Sequence, residues 1–387
     1  MNRIILKTLS LSLLVFNLLG CKGFQKTNNK EVSDIPIIDN IETINNSYYL
    51  EDITINWNAM YLDNSSIDAM VGYIEEIHYD DSLFFVSHKL SLFGEEKKIY
   101  VFDKNGKFVR QISNIGRAKN EYISLGEWTL DTYNKEIIIF DRFDCVIKRY
   151  SYKGDFIGSN QLDYSLQQIS GITVLNDYKY LFQMSILEEP SLDYYLYDIE
   201  KNKVCGIFPI RNIYTKGHNM SGNQSYSDLN NPSKFFIRYY DDIIYNIDSI
   251  GNTKAYIKLG FVPQIKKKDL KALPPEIDKC PMNHVFSLFD LTDYILLNTF
   301  SGYYLINKHT NKATQYVSDG VVNINKIPST TSIVGVFGNY LIGVITPDAA
   351  ESRAKHKRET QTEEVIDFYK KAAANENATL VFYEIGK

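Results

Sequence analysis

Apolar and polar positions alternate along most of this chain in short runs, and the runs come in pairs around a turn. Residues 99–103 (IYVFD) lead through Lys104, Asn105, Gly106 and Lys107 into 108–112 (FVRQI). Residues 146–150 lead through Tyr152, Lys153, Gly154 and Asp155 into 156–157. Residues 194–199 lead through Lys201, Asn202 and Lys203 into 204–210. Two further copies join 243–247 to 255–259 through Gly251, and 303–306 to 313–317 through Asn311; 380–385 followed by Gly386 starts a sixth. A period of two marks strands buried on one face. Gly or Asn at each turn supplies the positive φ that a tight strand connection requires.

The turn positions 106, 154, 202, 251 and 311 are separated by 48, 48, 49 and 60 residues, and the step to 386 is 75. That last step contains a helix-like charged stretch, 349–374; without its 26 residues 49 remain. A period of about 45–50 residues with four short strands per unit is the pattern of a β-propeller. Further strands are expected at 74–79 with 83–87, 127–131 with 136–141, 172–175 with 180–184, 285–288 with 294–299, and 332–337 with 340–345. The polar stretch 217–232 marks its strands poorly. The last unit reaches only its third strand, so 50–55 (LEDITI) is expected to supply the fourth and close the ring, covering an otherwise open edge. The expected fold is thus all-β: a six-bladed propeller of four-stranded blades, closed by an N-terminal strand in the last blade, with one helical insertion near 349–374. The expected division is 1–20 signal peptide, 21–46 flexible tether and 47–387 propeller.

Composition agrees with strands. Aromatic residues make up 13% of the chain, including 29 Tyr and 21 Phe, and aromatic side chains fit half-buried pleated surfaces. The formal net charge is −5; without residues 1–20 there are 40 basic against 47 acidic residues, or −7. This speaks against a nucleic-acid binder, which needs a basic footprint. The N-terminus adds an address. Arg3 and Lys7 precede an apolar run from Leu9 to Leu19, too short to span a bilayer but suited to a signal peptide. It ends in Leu18-Leu19-Gly20-Cys21, which resembles the lipoprotein signal-peptidase box. That resemblance implies cleavage before Cys21, a lipid on its sulfur and attachment to the outer membrane, since two or more acyl chains anchor firmly. No acidic run like the surface-export signal of Bacteroidota lipoproteins follows Cys21, which favours a periplasm-facing position. Cys145, Cys205 and Cys280 form no CxxC pair; three buried apolar thiols are the simpler expectation, with one disulfide as the alternative.

Residues 101–156 (VFDKNGKFVRQIS…GRAKNEY…EIIIFDR…KRYSYKGDF) resemble the six-bladed β-propeller lipoproteins of Bacteroides and its relatives, a family mostly without assigned activities. Its Gly-Arg-Gly-Pro-Gly-Glu-Tyr-like linker between the first two blades is matched at Gly116, Arg117, Glu121 and Tyr122, and departs at 118–120. The resemblance implies a fold rather than an activity. In a buried linker Arg117 and Glu121 would have to pair.

Motifs for chemistry are sparse. The six histidines show no HExxH or HxH spacing, and His78 and His88 read as strand decoration, so neither metal nor cofactor is expected. No GxSxG, P-loop or Rossmann glycines occur, and no catalytic residue is assigned. Asp80-Asp81 and Asp241-Asp242 read as turn residues, because neighbours in a strand face opposite ways. The polar stretch around Asn219, Asn223 and Tyr226 is the candidate ligand-face loop, since loops on rigid β scaffolds often carry function. The leading reading is a membrane-anchored binding module for a glycan, peptide or envelope protein. The alternatives are a lyase or lactonase-like propeller enzyme with its site at the central channel, and a structural component of an envelope complex.

Overall fold

The structure, a computed structural model, describes residues 35–39, 41–45, 49–88, 98–184, 192–209, 224–238, 241–261, 285–299, 302–317, 326–356 and 361–386. These residues build an all-β propeller. The first three blades each take four consecutive strands from the chain, the innermost first. The first uses Ile74–Asp80, Leu83–His88, Ile99–Asp103 and Phe108–Ile112; the second Trp128–Asp131, Glu136–Asp141, Val146–Ser151 and Phe156–Gln161; the third Ile169–Asn176, Lys179–Met184, Leu192–Asp198 and Lys203–Pro209.

Position in the blade explains the sequence of each strand. Glu136–Asp141 (EIIIFD) runs mid-sheet and is buried on both faces, so it is apolar without interruption. Phe156–Gln161 (FIGSNQ) is the outermost strand and alternates half-buried with exposed. All five repeat turns adopt left-handed backbone at the expected residue: Gly106, Asn202, Gly154, Gly251 and Asn311 have φ between 49° and 94°. Gly386 does not; it follows the last strand and donates its N–H to the Ile53 carbonyl.

The expectation of six alike four-stranded blades is corrected. Five sheets are four-stranded and one has six strands. The cause is a redistribution of strands at both rims. The sheet of Ser233–Ile237, Ile243–Asp248 and Thr253–Leu259 keeps three strands of its own and gains Ile37–Ile38 in parallel at its outer edge. Gln224–Ser227, which in sequence would form its innermost strand, instead pairs in parallel with Val285–Asp290 of the next sheet. That sheet continues with Tyr294–Thr299, Gly302–Asn307 and Lys312–Val317, and Ile41–Asn45 adds to its outer edge. Parts of the expected tether, residues 37–38 and 41–45, are therefore laid along two blade rims: an outermost strand offers unpaired N–H and C=O groups that an extended segment can satisfy.

The last sheet contains Ser332–Phe337, Tyr340–Ile345, Thr379–Ile385 and, from the N-terminal side, Thr54–Tyr61. The closing strand is thus displaced from the expected 50–55. Residues Tyr49–Ile53 form a helical turn, which buries Leu50 and Ile53 on one side, and the strand begins only at Thr54. In place of one helical insertion there are two helices, Pro347–Lys355 and Glu363–Ala374. Thr346 and Thr362 cap them, each hydroxyl accepting from an N–H of the first turn. Val365, Phe368, Tyr369 and Ala372 of the second helix are buried, and Phe368 meets Trp57 of the closing strand edge-on with ring centroids 5.5 Å apart.

Turn-to-turn hydrogen bonds lock neighbouring blades together at one face. Lys135 of the second blade reaches Asp80 and Asp81 of the first at 2.8 and 3.0 Å. Asn134 donates to the Asp177 carbonyl of the third blade, and Asn176 and Lys179 of the third donate to the Ser249 and Ile250 carbonyls of the following sheet. Asn339 and Asp293 make the equivalent link between the last two sheets, 2.5 Å apart. Asp80 and Asp81 thus do sit at a turn, but as an inter-blade clasp.

Candidate functional site

Side chains from the inner strands surround a central channel of about 510 Å³. The first blade contributes Glu75, Glu76 and Ser87, and the second Glu127, Trp128 and Arg142. Across from them stand Lys234, Phe235 and Phe236. Ser225 and Tyr226 enter from the displaced strand Gln224–Ser227. This volume lies within the range of ligand pockets.

The wall is polar and largely organised. His78 Nε2 lies 3.0 Å from Glu76 Oε1, and the His78 ring packs edge-on against Trp128 with centroids 4.7 Å apart. Glu76 and Ser87 are cross-strand partners, so both side chains emerge on the same face of the blade. Trp128 and Ser87 are only 3% and 1% exposed, and among the described residues Trp128 Nε1 and Ser87 Oγ have no hydrogen-bond partner. Arg142 donates to Glu127 Oε1 at 3.2 Å and to the Ile169 carbonyl at 3.1 Å.

The opposite wall is where the displaced strand leaves its mark. With Gln224–Ser227 gone to the next sheet, Ser233–Ile237 is the innermost strand of its own, and neighbouring blades satisfy its inner edge with side chains. The Ile237 carbonyl accepts from the Tyr194 hydroxyl at 3.1 Å, and the Phe235 backbone N–H faces the Asp290 carboxylate. Lys234, 4% exposed, donates to the Asp228 carbonyl at 2.5 Å, and Lys308 donates to Asp290 Oδ1 at 2.6 Å. Burial pushes the Lys234 ammonium down to about 8, against the partial support of the Asp290 and Asp228 carboxylates. Burial likewise holds Asp290 above the usual carboxylate range, with Lys308 opposing.

Tyr226 stacks on Phe289, centroids 4.9 Å apart and rings 8° from parallel, and lines both the channel and a second cavity of about 260 Å³. Its phenol is raised well above the usual tyrosine value, first by burial and then by Glu76, Glu75 and Glu127. Of the ligand-face trio, Tyr226 thus lies on a channel strand, while Asn219 and Asn223 fall outside the described residues, as does Cys21.

The linker residues form a separate structural unit. Gly116 N–H donates to the Tyr122 carbonyl and Tyr122 N–H to the Asn114 carbonyl, closing the loop. Glu121 Oε2 accepts from the Ala118 N–H at 2.8 Å, and Lys148 holds the Glu121 carbonyl. Tyr122 is buried against Tyr150, whereas Arg117 is exposed and needs no carboxylate partner, so the expected Arg117–Glu121 pair is replaced by the Ala118 contact. Gly116 has φ +156°, and a Cβ there would fall 2.0 Å from Glu121 Oε2. Gly116→Ala is therefore expected to cost about 1–3 kcal/mol by urea unfolding, and Gly116→Ala combined with Glu121→Ala less than the two single changes added together.

His78 and His88 join no third ligand; among the described residues no group of three His, Cys, Asp or Glu side chains is placed to hold a metal ion. Cys145 and Cys205 are not joined by a disulfide, and Cys280 lies outside the described residues. Asp241 and Asp242 are both buried, Asp241 accepting from the Tyr245 hydroxyl at 2.8 Å. Of the channel residues only Tyr226 was singled out from the sequence; no local pattern announced the others, because they come from separate blades.

Fold and site together define a β-propeller with a polar, aromatic-lined central channel. The chain belongs to the family described as Domain of unknown function (DUF4934), whose model matches residues 33–384. Two solved structures share the fold. One is a Bacteroides fragilis protein described as a candidate exported protein: 14% identity, TM-score 0.64, covering 90% of this chain and all of that one. The other is a member of the DUF4221 family from Bacteroides vulgatus: 10% identity, TM-score 0.50, covering 86% of this chain and 97% of that one. The family is described without an assigned function, and its fold is the propeller that these two Bacteroides proteins share. No curated relative matches the sequence. Among the described residues no helix is long and apolar enough to cross a membrane.

Proposed function

We propose that the chain is a cell-envelope binding protein, tethered through a lipid on Cys21, whose central channel takes a segment of a glycan, a peptide or an envelope protein. One observation carries the channel assignment. Glu75, Glu76, Glu127, Trp128, Phe235 and Tyr226, from separate blades, line one central cavity of about 510 Å³. A cavity of this size with aromatic walls and a few polar groups is the usual form of a ligand site. The signal-peptide pattern before Cys21, and the likeness to a protein described as a candidate for export, support the envelope location.

The chain has two tryptophans, Trp57 on the outer closing strand and Trp128 in the channel. In a Trp57→Phe protein, Trp128 becomes the sole indole reporter of channel occupancy. Glycan and peptide arrays probed with this protein should yield a ligand that shifts Trp128 emission. A ligand that binds without changing that emission would place the site elsewhere. A second reading, a channel enzyme, draws on the Glu76–His78 contact beside the Ser87 hydroxyl. Turnover of lactones or uronic-acid glycans that disappears in His78→Asn would favour it.

A further inference from the structure

The charges of the channel wall are met inside the protein. Arg142 donates to Glu127, Glu76 lies against His78, Lys234 donates to the Asp228 carbonyl, and Glu75 has a partner as well. Recognition then falls to neutral groups, and these gather on the opposite side. The second cavity, about 260 Å³, shares Tyr226, Ser287 and Asn298 with the channel, and no charged residue is among those that line it. Ser287, Asn298 and Tyr303 are successive cross-strand partners on three neighbouring strands of the six-stranded sheet, so their side chains form one row on the same face. Among the described residues neither the Ser287 hydroxyl nor the Asn298 amide has a hydrogen-bond partner. Neither is sealed off: unlike Trp128 Nε1 and Ser87 Oγ, their polar atoms remain accessible. Thr330 and Ser332 add hydroxyls to the same cavity from the last sheet.

A hydroxyl both donates and accepts, and a side-chain amide does so through its two ends. Such a row is matched by a partner whose own groups do both. A sugar is that partner: hydroxyls line its edge, and its C–H faces suit aromatic rings such as Tyr226 and Tyr303. A peptide backbone instead offers one N–H and one C=O per residue, spaced about 3.3 Å apart when extended, and no flat apolar face. We infer that the ligand is an uncharged oligosaccharide spanning both cavities, with one sugar at the junction of Tyr226, Ser287 and Asn298. The inference deepens the channel reading and rests on it.

The test is calorimetric titration of the purified full chain with neutral tetrasaccharides of glucose, mannose, galactose, xylose and N-acetylglucosamine. Tetragalacturonate and end-capped tetraglycine serve as the charged and peptide comparators. At least one neutral tetrasaccharide should bind, with its disaccharide about tenfold or more weaker because it fills one cavity only. Its affinity should stay the same between low and high salt, since no ion pair is screened. Ser287→Ala and Asn298→Ala should each weaken it roughly three- to tenfold, as loss of one hydrogen bond requires, with the thermal unfolding profile kept. If Asn298→Ala unfolds, Asn298→Asp keeps the shape, removes the donors and should weaken binding as much. Binding of no neutral tetrasaccharide, binding of only a comparator, or saccharide binding indifferent to both substitutions would each overturn the inference. A comparator that binds and shifts Trp128 emission in the Trp57→Phe protein would overturn the saccharide alone and leave the channel reading standing. A saccharide that binds with neither effect would overturn both.

Discussion

Tyr383→Ala is expected to destabilise the propeller by about 3–5 kcal/mol, a large share of the roughly 5–15 kcal/mol that holds a domain together. Tyr383 is fully buried in Thr379–Ile385, the strand that pairs with Tyr340–Ile345 on one side and with the N-terminal Thr54–Tyr61 on the other. Its hydroxyl donates to the Pro328 carbonyl at 2.6 Å, and its ring sits so close to Gly343 that a Cβ there would approach it to 2.9 Å. Truncation therefore opens a cavity at the one seam where the two ends of the chain meet, and orphans a carbonyl. Tyr383→Phe keeps the ring and should cost only about 1–2 kcal/mol. Urea unfolding of the two variants measures both. A cost below about 1 kcal/mol for the alanine variant would show that the seam contributes little.

Lys234→Met should reveal a pH dependence that belongs to one ammonium group. In the folded protein Lys234 loses its proton at about 8, against an ordinary lysine value of 10.5. Below pH 8 both folded and unfolded chains are protonated, and the folded state bears the full cost of a buried charge. Between 8 and 10.5 the unfolded chain keeps the proton that the folded one has shed, so the stability of the native protein rises with pH. The methionine variant lacks this slope. Its stability relative to the native protein is expected to fall by on the order of 3 kcal/mol between pH 7.5 and 10.5, while other groups cancel in the difference. A difference that stays flat over that range would show that Lys234 is not held buried as described.

How much of this was legible in the sequence depends on whether the signal is local. The five repeat turns were, because a tight connection needs positive φ at one residue and Gly or Asn marks it. The stretch 50–55 was ambiguous: Leu50, Ile53 and Ile55 fit neither period cleanly, and the i, i+3 pair Leu50 and Ile53 turned inward as a helical turn. Gln224–Ser227 is four polar and aromatic residues whose partner lies 63 residues downstream, so no local pattern assigns its sheet. The channel is less legible still. Glu75, Trp128 and Lys234 are far apart in the chain and meet only because the blades radiate from one axis. Tyr226 was singled out from a polar stretch, and its place on a channel strand came from pairing alone.

The first strands of the described chain meet the rims in order of increasing grip. Ile37–Ile38 makes two residue pairs, Ile41–Asn45 five, and Thr54–Tyr61 seven. A pull applied at the N-terminal end would therefore peel the weakest contact first, then the next. Residues 37 to 53 could run out roughly 60 Å of slack, at about 3.5 Å per residue, before the load reached the seam. Stretched from that end, the molecule would lengthen its leash while the ring stayed shut.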